Sequence, residues 1–169
     1  MFKFISGKSL FVRTDITKSQ EIDGLVEKTL TEYGTVDILA NNAGVAVLKP
    51  IEECSLEEWD RVHNVDLRGL WYLTRAVVKT MKEKRYGKII NIGSTTGVVS
   101  FQNQFVYAAA KGGVVNLARE LGCELAPYNI DANAVCPGII ETPIYGIIGV
   151  SMKVKENAAG FLKEIPLNG

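Results

Sequence analysis

The chain has 169 residues, of which 47% are hydrophobic and 22% charged, with 19 basic residues balancing 19 acidic ones. That length suits one ordinary domain with a stable core, so we expect a single domain over residues 1–169. A balanced charge lacks the positive field that binding to nucleic acid or to an anionic membrane usually needs, which favours a small-molecule partner.

The cysteines and the apolar runs indicate a cytoplasmic protein. Cys54, Cys123 and Cys136 stand singly, without a C-x-x-C pair, and the chain has 1 histidine. Buried thiols in a reducing compartment therefore explain them better than a metal site. No apolar run approaches the roughly 18 residues of a membrane span. The apolar stretch within "MFKFISGKSL" is too short for a secretory signal.

Apolar runs of strand length alternate along the chain with longer segments of helical period. The runs are rich in Val, Ile or Leu and are predicted to be strands at 9–16, 36–44, 87–94 and 130–138. This alternation is typical of a parallel sheet whose strands are joined by crossover helices. Runs without a polar alternation indicate strands that are buried on both faces.

Three segments between the predicted strands have the period of a helix. The first covers 19–33, and the second begins at a capping box of Ser55 and Glu58 and continues to about Arg85. The third covers about 105–125. Its predicted buried stripe consists of Val114, Leu117, Leu121 and Leu125.

The third predicted helix carries "YAAAK", which places Tyr107 and Lys111 at i and i+4 on one face. An ammonium held close to a phenol favours the phenolate, which brings a group with a free pKa of about 10 towards proton exchange at neutral pH. Ser94 ends the third predicted strand, where open α/β sheets place their ligands. Its hydroxyl is expected to hold a carbonyl oxygen beside the tyrosine.

Together these residues resemble the short-chain dehydrogenase/reductase family. "NNAG" at 41–44, a serine 13 positions before the tyrosine, Y-x-x-x-K and "PGIIET" at 137–142 occur in the family's order. The resemblance implies an α/β, Rossmann-like three-layer fold with a parallel sheet, here a truncated doubly wound one. It also implies NAD or NADP as cofactor, hydride transfer between an alcohol and a ketone or aldehyde, and a dimeric or tetrameric homo-oligomer.

Roles for individual residues follow from the same resemblance. Tyr107 would be the general acid in reduction and the base in oxidation, Ser94 would orient the substrate oxygen, and Lys111 would also bind the nicotinamide ribose. The expected cofactor-binding residues are Asp15, Asn41, Ala43, Gly44, Tyr107, Lys111, Pro137, Gly138 and Thr142. Beyond them we expect a substrate lid over 139–165, with one helix near 151–163. Tyr145 and Ile148 are its expected substrate contacts.

One departure from the family concerns the proton relay. The family's V-N-L-x-G segment supplies an asparagine that completes a relay with the lysine, whereas this chain reads "VDLRG" with Asp66 at that position. If the relay uses the main-chain carbonyl, aspartate can replace asparagine. If the neutral side chain matters, the added charge beside Lys111 perturbs the relay. Asn64 is a poor substitute because two residues are about 200° apart around a helix.

A second departure is the absence of the family's N-terminal glycine-rich βαβα segment and of its last strand. No two glycines are separated by a single residue, so neither G-x-G-x-x-G nor T-G-x-x-x-G-x-G occurs. Without the first two strands, the run 9–16 would have to pair with 36–44. Right-handed crossovers would then put every helix on one face, which would leave the other face bare and apolar and would leave no switch point for a dinucleotide.

Three functional hypotheses follow. The chain is a dehydrogenase whose first βαβα unit is supplied by a further segment or a second polypeptide, a catalytically inactive fragment or paralogue that acts through oligomerisation, or a different enzyme or binding module that reuses this half-fold. The choice between NAD and NADP depends on a strand that is missing here. Val99, Phe101, Tyr145 and the isoleucine-rich 139–150 favour an apolar alcohol or ketone as substrate.

Overall fold

The computed structural model describes residues 7–99 and 101–140. Within this part of the chain, helices and strands alternate as the sequence predicts. The helices are α1 (Ser19–Tyr33), α2 (Leu56–His63), α3 (Leu70–Lys84) and α4 (Phe105–Leu125), and the strands are β1 (Ile38–Asn41), β2 (Gly87–Ile92) and β3 (Ile130–Val135). A π-helical turn, Asn64–Gly69, joins α2 to α3 and is called the π segment below.

The three strands form one parallel sheet in the order β1-β2-β3. Leu39 of β1 lies opposite Ile89 of β2, and Ile89 lies opposite Ala132 of β3. Three of the four predicted strands, those within 36–44, 87–94 and 130–138, are therefore confirmed, as is the α/β, Rossmann-like class.

The prediction of a strand at 9–16, the first of the four in chain order, is wrong. The structure assigns no strand to these residues, and β1 pairs with β2 alone within the described part of the chain. A strand needs a lateral partner for its backbone groups, and this segment instead packs beside the π segment. There the Ile16 carbonyl oxygen would lie 2.6 Å from a Cβ added to Gly69, and Arg68 Nη1 donates to the Thr17 carbonyl at 3.2 Å.

Helices α1, α3 and α4 pack on one face of the sheet, as predicted. The main core cluster joins α1, α3 and α4 to that face, and its buried members are Val26, Leu39, Val77, Met81, Ile89, Leu125 and Ile130. Complete burial of such an aliphatic side chain stabilises the folded chain by about 1.5–3 kcal/mol. This cluster fixes the sheet against the helices that carry the candidate site.

The opposite face of the sheet carries no helix from residues 7–99 and 101–140. Ile38 is 61% exposed and Val135 is 48% exposed, which confirms the expected bare face for the described residues. The face is not uniformly apolar, however, because an ion pair between Lys88 and Asp131 crosses from β2 to β3. The prediction missed this pair because it considered each strand separately.

The second predicted helix is interrupted. Its capping box is confirmed, since Glu58 N donates to Ser55 Oγ at 3.2 Å and Ser55 N donates to Glu58 Oε2 at 3.1 Å. The π segment then separates α2 from α3 and buries both Asp66 and Gly69. A π turn contains one residue more than an α turn, so the side chains that follow it are rotated about the helix axis. Asp66 lies within this turn and is buried.

Two helices match their predicted bounds. Helix α1 ends at Gly34, whose φ of 75° is left-handed and whose N–H donates to the Leu30 carbonyl, a common way to terminate a helix. In α4, Val114 and Leu125 are fully buried, whereas Leu117 and Leu121 are only partly buried. No helix of the described ranges combines the length and apolar character needed to cross a bilayer.

Glycine at position 97 is required by close packing, which leads to a stability prediction. A Cβ added to Gly97 would lie 2.7 Å from both the carbonyl carbon and oxygen of Lys111 in α4, and backbone atoms cannot rotate away. We expect Gly97→Ala to lower the free energy of unfolding by about 1–3 kcal/mol. Gly24→Ala, in α1 with no atom within 4 Å of the added Cβ, should raise it by roughly 0.5–1 kcal/mol.

Urea unfolding monitored by circular dichroism measures both changes. Equal effects of the two substitutions would contradict the packing argument for Gly97.

Candidate active site

The carboxyl ends of the three strands meet at one edge of the sheet, where the predicted site residues were expected. Gly93 N, after β2, donates to the Val135 carbonyl at 2.8 Å, and Thr95 N donates to the Pro137 carbonyl at 3.0 Å. The Ser94 turn and the Pro137–Gly138 turn are therefore joined. Gly138 is exposed, and a Cβ added there would meet no atom within 4 Å.

Lys111 is buried beneath this edge, on the same side of α4 as Tyr107. Its ammonium nitrogen lies 5.6 Å from the centroid of the Tyr107 ring and donates to the Ile92 carbonyl at 2.8 Å. The Tyr107 ring is half-buried against the cluster formed by Val62, Val106 and Ala110. The predicted juxtaposition of phenol and ammonium is thus present, while the roles of the two residues remain predictions.

Asp66 lies beside this pair and is completely buried. Its Oδ1 accepts a hydrogen bond from Val45 N at 2.8 Å, and its Oδ2 lies 3.2 Å from Lys111 Nζ. Burial raises the pKa of the Asp66 carboxyl above its usual range, and the attraction of the Lys111 ammonium opposes this rise. The carboxylate therefore faces the lysine directly through its side chain.

The "NNAG" segment passes over this ion pair. A Cβ added to Gly44 would lie 3.2 Å from Asp66 Oδ2 and 3.5 Å from Lys111 Nζ, so glycine leaves the space above the pair open. Ala43 and Gly44 are exposed, which makes their backbone groups accessible to a ligand.

Asn41 uses its side chain inside the protein. Its Nδ2 donates to Thr74 Oγ1 at 3.0 Å and to Asn91 Oδ1 at 2.8 Å. Sequence reasoning missed Thr74 and Asn91, which tie β1 to α3 and β2. A signal was available, because Asn91 interrupts the apolar run of β2 and a buried amide needs partners.

Ser94 caps a short 3-10 turn after β2. Its Oγ accepts a hydrogen bond from Thr96 N at 3.2 Å, and the residue is half-buried. A hydroxyl that accepts one bond keeps its own proton as a donor. The predicted role of Ser94 towards a substrate oxygen is compatible with this geometry and remains a prediction.

Asp15 does not end a strand, because the predicted strand that it was to terminate does not form. Its Oδ1 accepts from Thr17 N at 3.0 Å and from Thr17 Oγ1 at 2.8 Å in an exposed turn before α1. These bonds lower the pKa of the Asp15 carboxyl. A contact between Asp15 and a bound adenine remains a prediction.

The remaining predicted positions lie outside the described residues. They are Thr142, Tyr145, Ile148 and the lid from 141 onward, including the helix expected near 151–163. Among the residues that are described, no three His, Cys, Asp or Glu side chains cluster as metal ligands would.

The raised pKa of Asp66 predicts a dependence of stability on pH. Between the usual aspartate pKa of about 3.9 and the raised folded value, the native chain binds more protons at this carboxyl than the unfolded chain does. The free energy of unfolding should therefore fall through this window as pH rises, at no more than about 1.4 kcal/mol per pH unit. Asp66→Asn should remove this contribution.

Urea titrations at several pH values, compared between wild type and variant, isolate the contribution of Asp66. Asp60→Asn, at an exposed position in α2, is the control and should leave the slope unchanged. Parallel curves for wild type and Asp66→Asn would contradict the prediction.

Comparison of this chain with known proteins identifies its family. Residues 2–149 match the sequence model described as short chain dehydrogenase. Cyclopentanol dehydrogenase of a Comamonas species is 38% identical over 138 residues, which cover 82% of this chain and 55% of that protein. A 3-oxoacyl-(acyl-carrier-protein) reductase of Thermotoga maritima is 40% identical over 130 residues, covering 77% and 53% respectively.

A solved structure gives the same result. NAD+-bound xylitol dehydrogenase matches with a TM-score of 0.77 and 29% identity, over 84% of this chain and 55% of that one. The chain thus spans about half the length of the curated relatives it matches. The family model and the relatives show that the chain belongs to the short-chain dehydrogenase family.

Proposed function

We propose that this chain provides the acid/base centre of an NAD(P)-dependent oxidoreductase that interconverts an alcohol and a ketone or aldehyde. The observation that carries this proposal is the Tyr107–Lys111 pair, with the ammonium 5.6 Å from the phenol ring and fastened to the Ile92 carbonyl. Family membership supports the reaction class.

In the proposed mechanism Tyr107 transfers the proton. Its phenol protonates the substrate oxygen during reduction, and its phenolate removes the alcohol proton during oxidation. The Lys111 ammonium favours the phenolate, because a nearby positive charge stabilises an anion. Ser94 donates its hydroxyl proton to the substrate oxygen and orients it towards Tyr107.

NAD or NADP, when bound, supplies or accepts the hydride. The residues present fit the nicotinamide and ribose part of such a cofactor, since Gly44 lacks the Cβ that would close the space over Lys111. The exposed backbone of Ala43–Gly44 and the Pro137–Gly138 turn would line it, together with Asn41, Thr142 and, at the adenine, Asp15. The bound NAD+ in xylitol dehydrogenase supports this class of cofactor.

A small apolar alcohol or ketone is the proposed substrate. Val99, which is 51% exposed, and the half-buried Phe101 follow the Ser94 turn. Cyclopentanol, named in the Comamonas relative, has the chemistry that such apolar side chains accept.

A second proposal is an inactive family member that acts through oligomerisation. The observation favouring it is an exposed groove between the π segment, α3 and α4, lined by Leu67, Leu117 and by Trp71, which is 45% exposed. An apolar groove of this kind suits association with a second copy.

For the oxidoreductase of the first proposal, we further propose a homo-oligomer in the cytoplasm, where single cysteines stay reduced.

Replacing the proposed acid tests the mechanism. We expect Tyr107→Phe to lower kcat for alcohol oxidation by about 100-fold or more, because the ring remains but the transferable proton is lost. Absorbance of the reduced nicotinamide measures the rate, and circular dichroism checks the fold. Tyr128→Phe, in the 3-10 turn that follows α4, is the matched control and should keep the wild-type rate. An unchanged rate in Tyr107→Phe would refute the assignment.

Cofactor binding distinguishes the two proposals. Titration of the purified chain with NADH or NADPH should give saturable nicotinamide fluorescence, and Lys111→Met should weaken binding about tenfold through loss of a charge-assisted hydrogen bond. Lys79→Met, on the exposed side of α3, is the control. A folded sample without saturable binding up to millimolar cofactor would favour the inactive alternative.

A further inference from the structure

The Asp66 carboxylate contacts two parts of the chain outside its own helix. One oxygen accepts from Val45 N, in the loop after β1, and the other lies 3.2 Å from Lys111 Nζ of α4. Both Asp66 and Lys111 are almost completely inaccessible to solvent, with side-chain exposures of 0% and 4%. The pair therefore lies in surroundings where a charge acts more strongly than at the surface.

Asp66 and Lys111 attract each other through their opposite charges rather than through a directional hydrogen bond. Among the described residues, Asp66 Oδ2 has no hydrogen-bond donor in good geometry, although the ammonium is close to it. The directional bond of Lys111 goes to the Ile92 carbonyl at 2.8 Å. The ammonium thus lies between a main-chain carbonyl and a carboxylate.

We propose that Asp66 is a positioning residue, whose negative charge holds Lys111 and the loop after β1 together and partly cancels the field of Lys111 at Tyr107. The second half of this proposal rests on the proposed function. It has a kinetic consequence, because a carboxylate close to the ammonium reduces the stabilisation of a tyrosine phenolate. Alcohol oxidation should therefore need a higher pH in this chain than with an uncharged residue at position 66.

Among the described residues, Lys111 of α4 and, more weakly, His63 of α2 attract the Asp66 carboxylate. The centroid of the Tyr107 ring lies 5.6 Å from the Lys111 ammonium nitrogen. Arg68, within the π segment itself, is directed to the Thr17 carbonyl. Burial raises the pKa of Asp66, and protonation of this carboxyl at acid pH removes the negative charge that acts on Lys111 and on Val45 N.

Asp66→Asn separates the charge from the shape. The amide oxygen can still accept from Val45 N, but the amide nitrogen is a donor that cannot bind the ammonium. The pH of half-maximal kcat/KM for alcohol oxidation should fall by about one unit, which raises the rate at pH 7 several-fold. Asp60→Asn, exposed in α2, should change neither this pH nor the rate.

Amide hydrogen exchange tests the positioning without any turnover. In the wild type, the protection of the Val45 amide should fall as Asp66 is protonated at acid pH. In Asp66→Asn it should be lower than in the wild type at neutral pH and independent of pH, because a neutral amide oxygen accepts more weakly than a carboxylate, and Asp66→Ala should lose about tenfold or more.

Three results decide the proposal. Wild-type Val45 protection that is independent of pH, or unaffected by Asp66→Ala, would overturn the positioning by charge. An unmoved pH of half-maximal rate in a folded Asp66→Asn would overturn the cancellation of the lysine field. Absence of turnover in every form, wild type included, together with the expected exchange results, would refute the proposed function and support the positioning by charge.

Discussion

The buried contact between Asp66 and Lys111 is the interaction on which the arrangement of the site depends. Two charges removed from water are tolerated only when neighbouring groups complete their interactions. Here those groups are the Val45 N–H and the Ile92 carbonyl, from a loop and a strand far apart in sequence. The ion pair therefore requires the π segment, α4, β2 and the loop after β1 to be assembled together.

Around this pair, buried polar groups take the place of apolar packing at the carboxyl edge of the sheet. Asn41 reaches both α3 and β2 through one amide, while Gly97 allows the Ser94 turn to touch the α4 backbone. The main apolar cluster packs α1, α3 and α4 against the sheet and contains none of the residues proposed to act in the reaction. Apolar packing and the polar groups of the site are thus formed by different residues.

Local sequence signals predicted the elements whose formation depends on local interactions. The bounds of α1 and the capping box of Ser55 are determined within a few residues, and both were predicted correctly. The run 9–16 has the composition of a strand, but a strand also needs a neighbour, which composition does not reveal. The break at the π segment and the partners of Asn91 depend on contacts distant in sequence. Tyr107 and Lys111 were found because an i, i+4 spacing fixes their common face.

The π segment has a geometrical consequence for the whole helical layer. Each residue of an α-helix advances by about 100° around the axis. The additional residue in Asn64–Gly69 therefore rotates the side chains of α2 by about that angle relative to those of α3. Deleting one residue there would restore continuous winding and rotate Trp59 and Val62 about the axis relative to Leu70 and Val77. The length of this turn therefore sets the rotation between α2 and α3. It allows two helices in direct succession to direct their apolar faces differently.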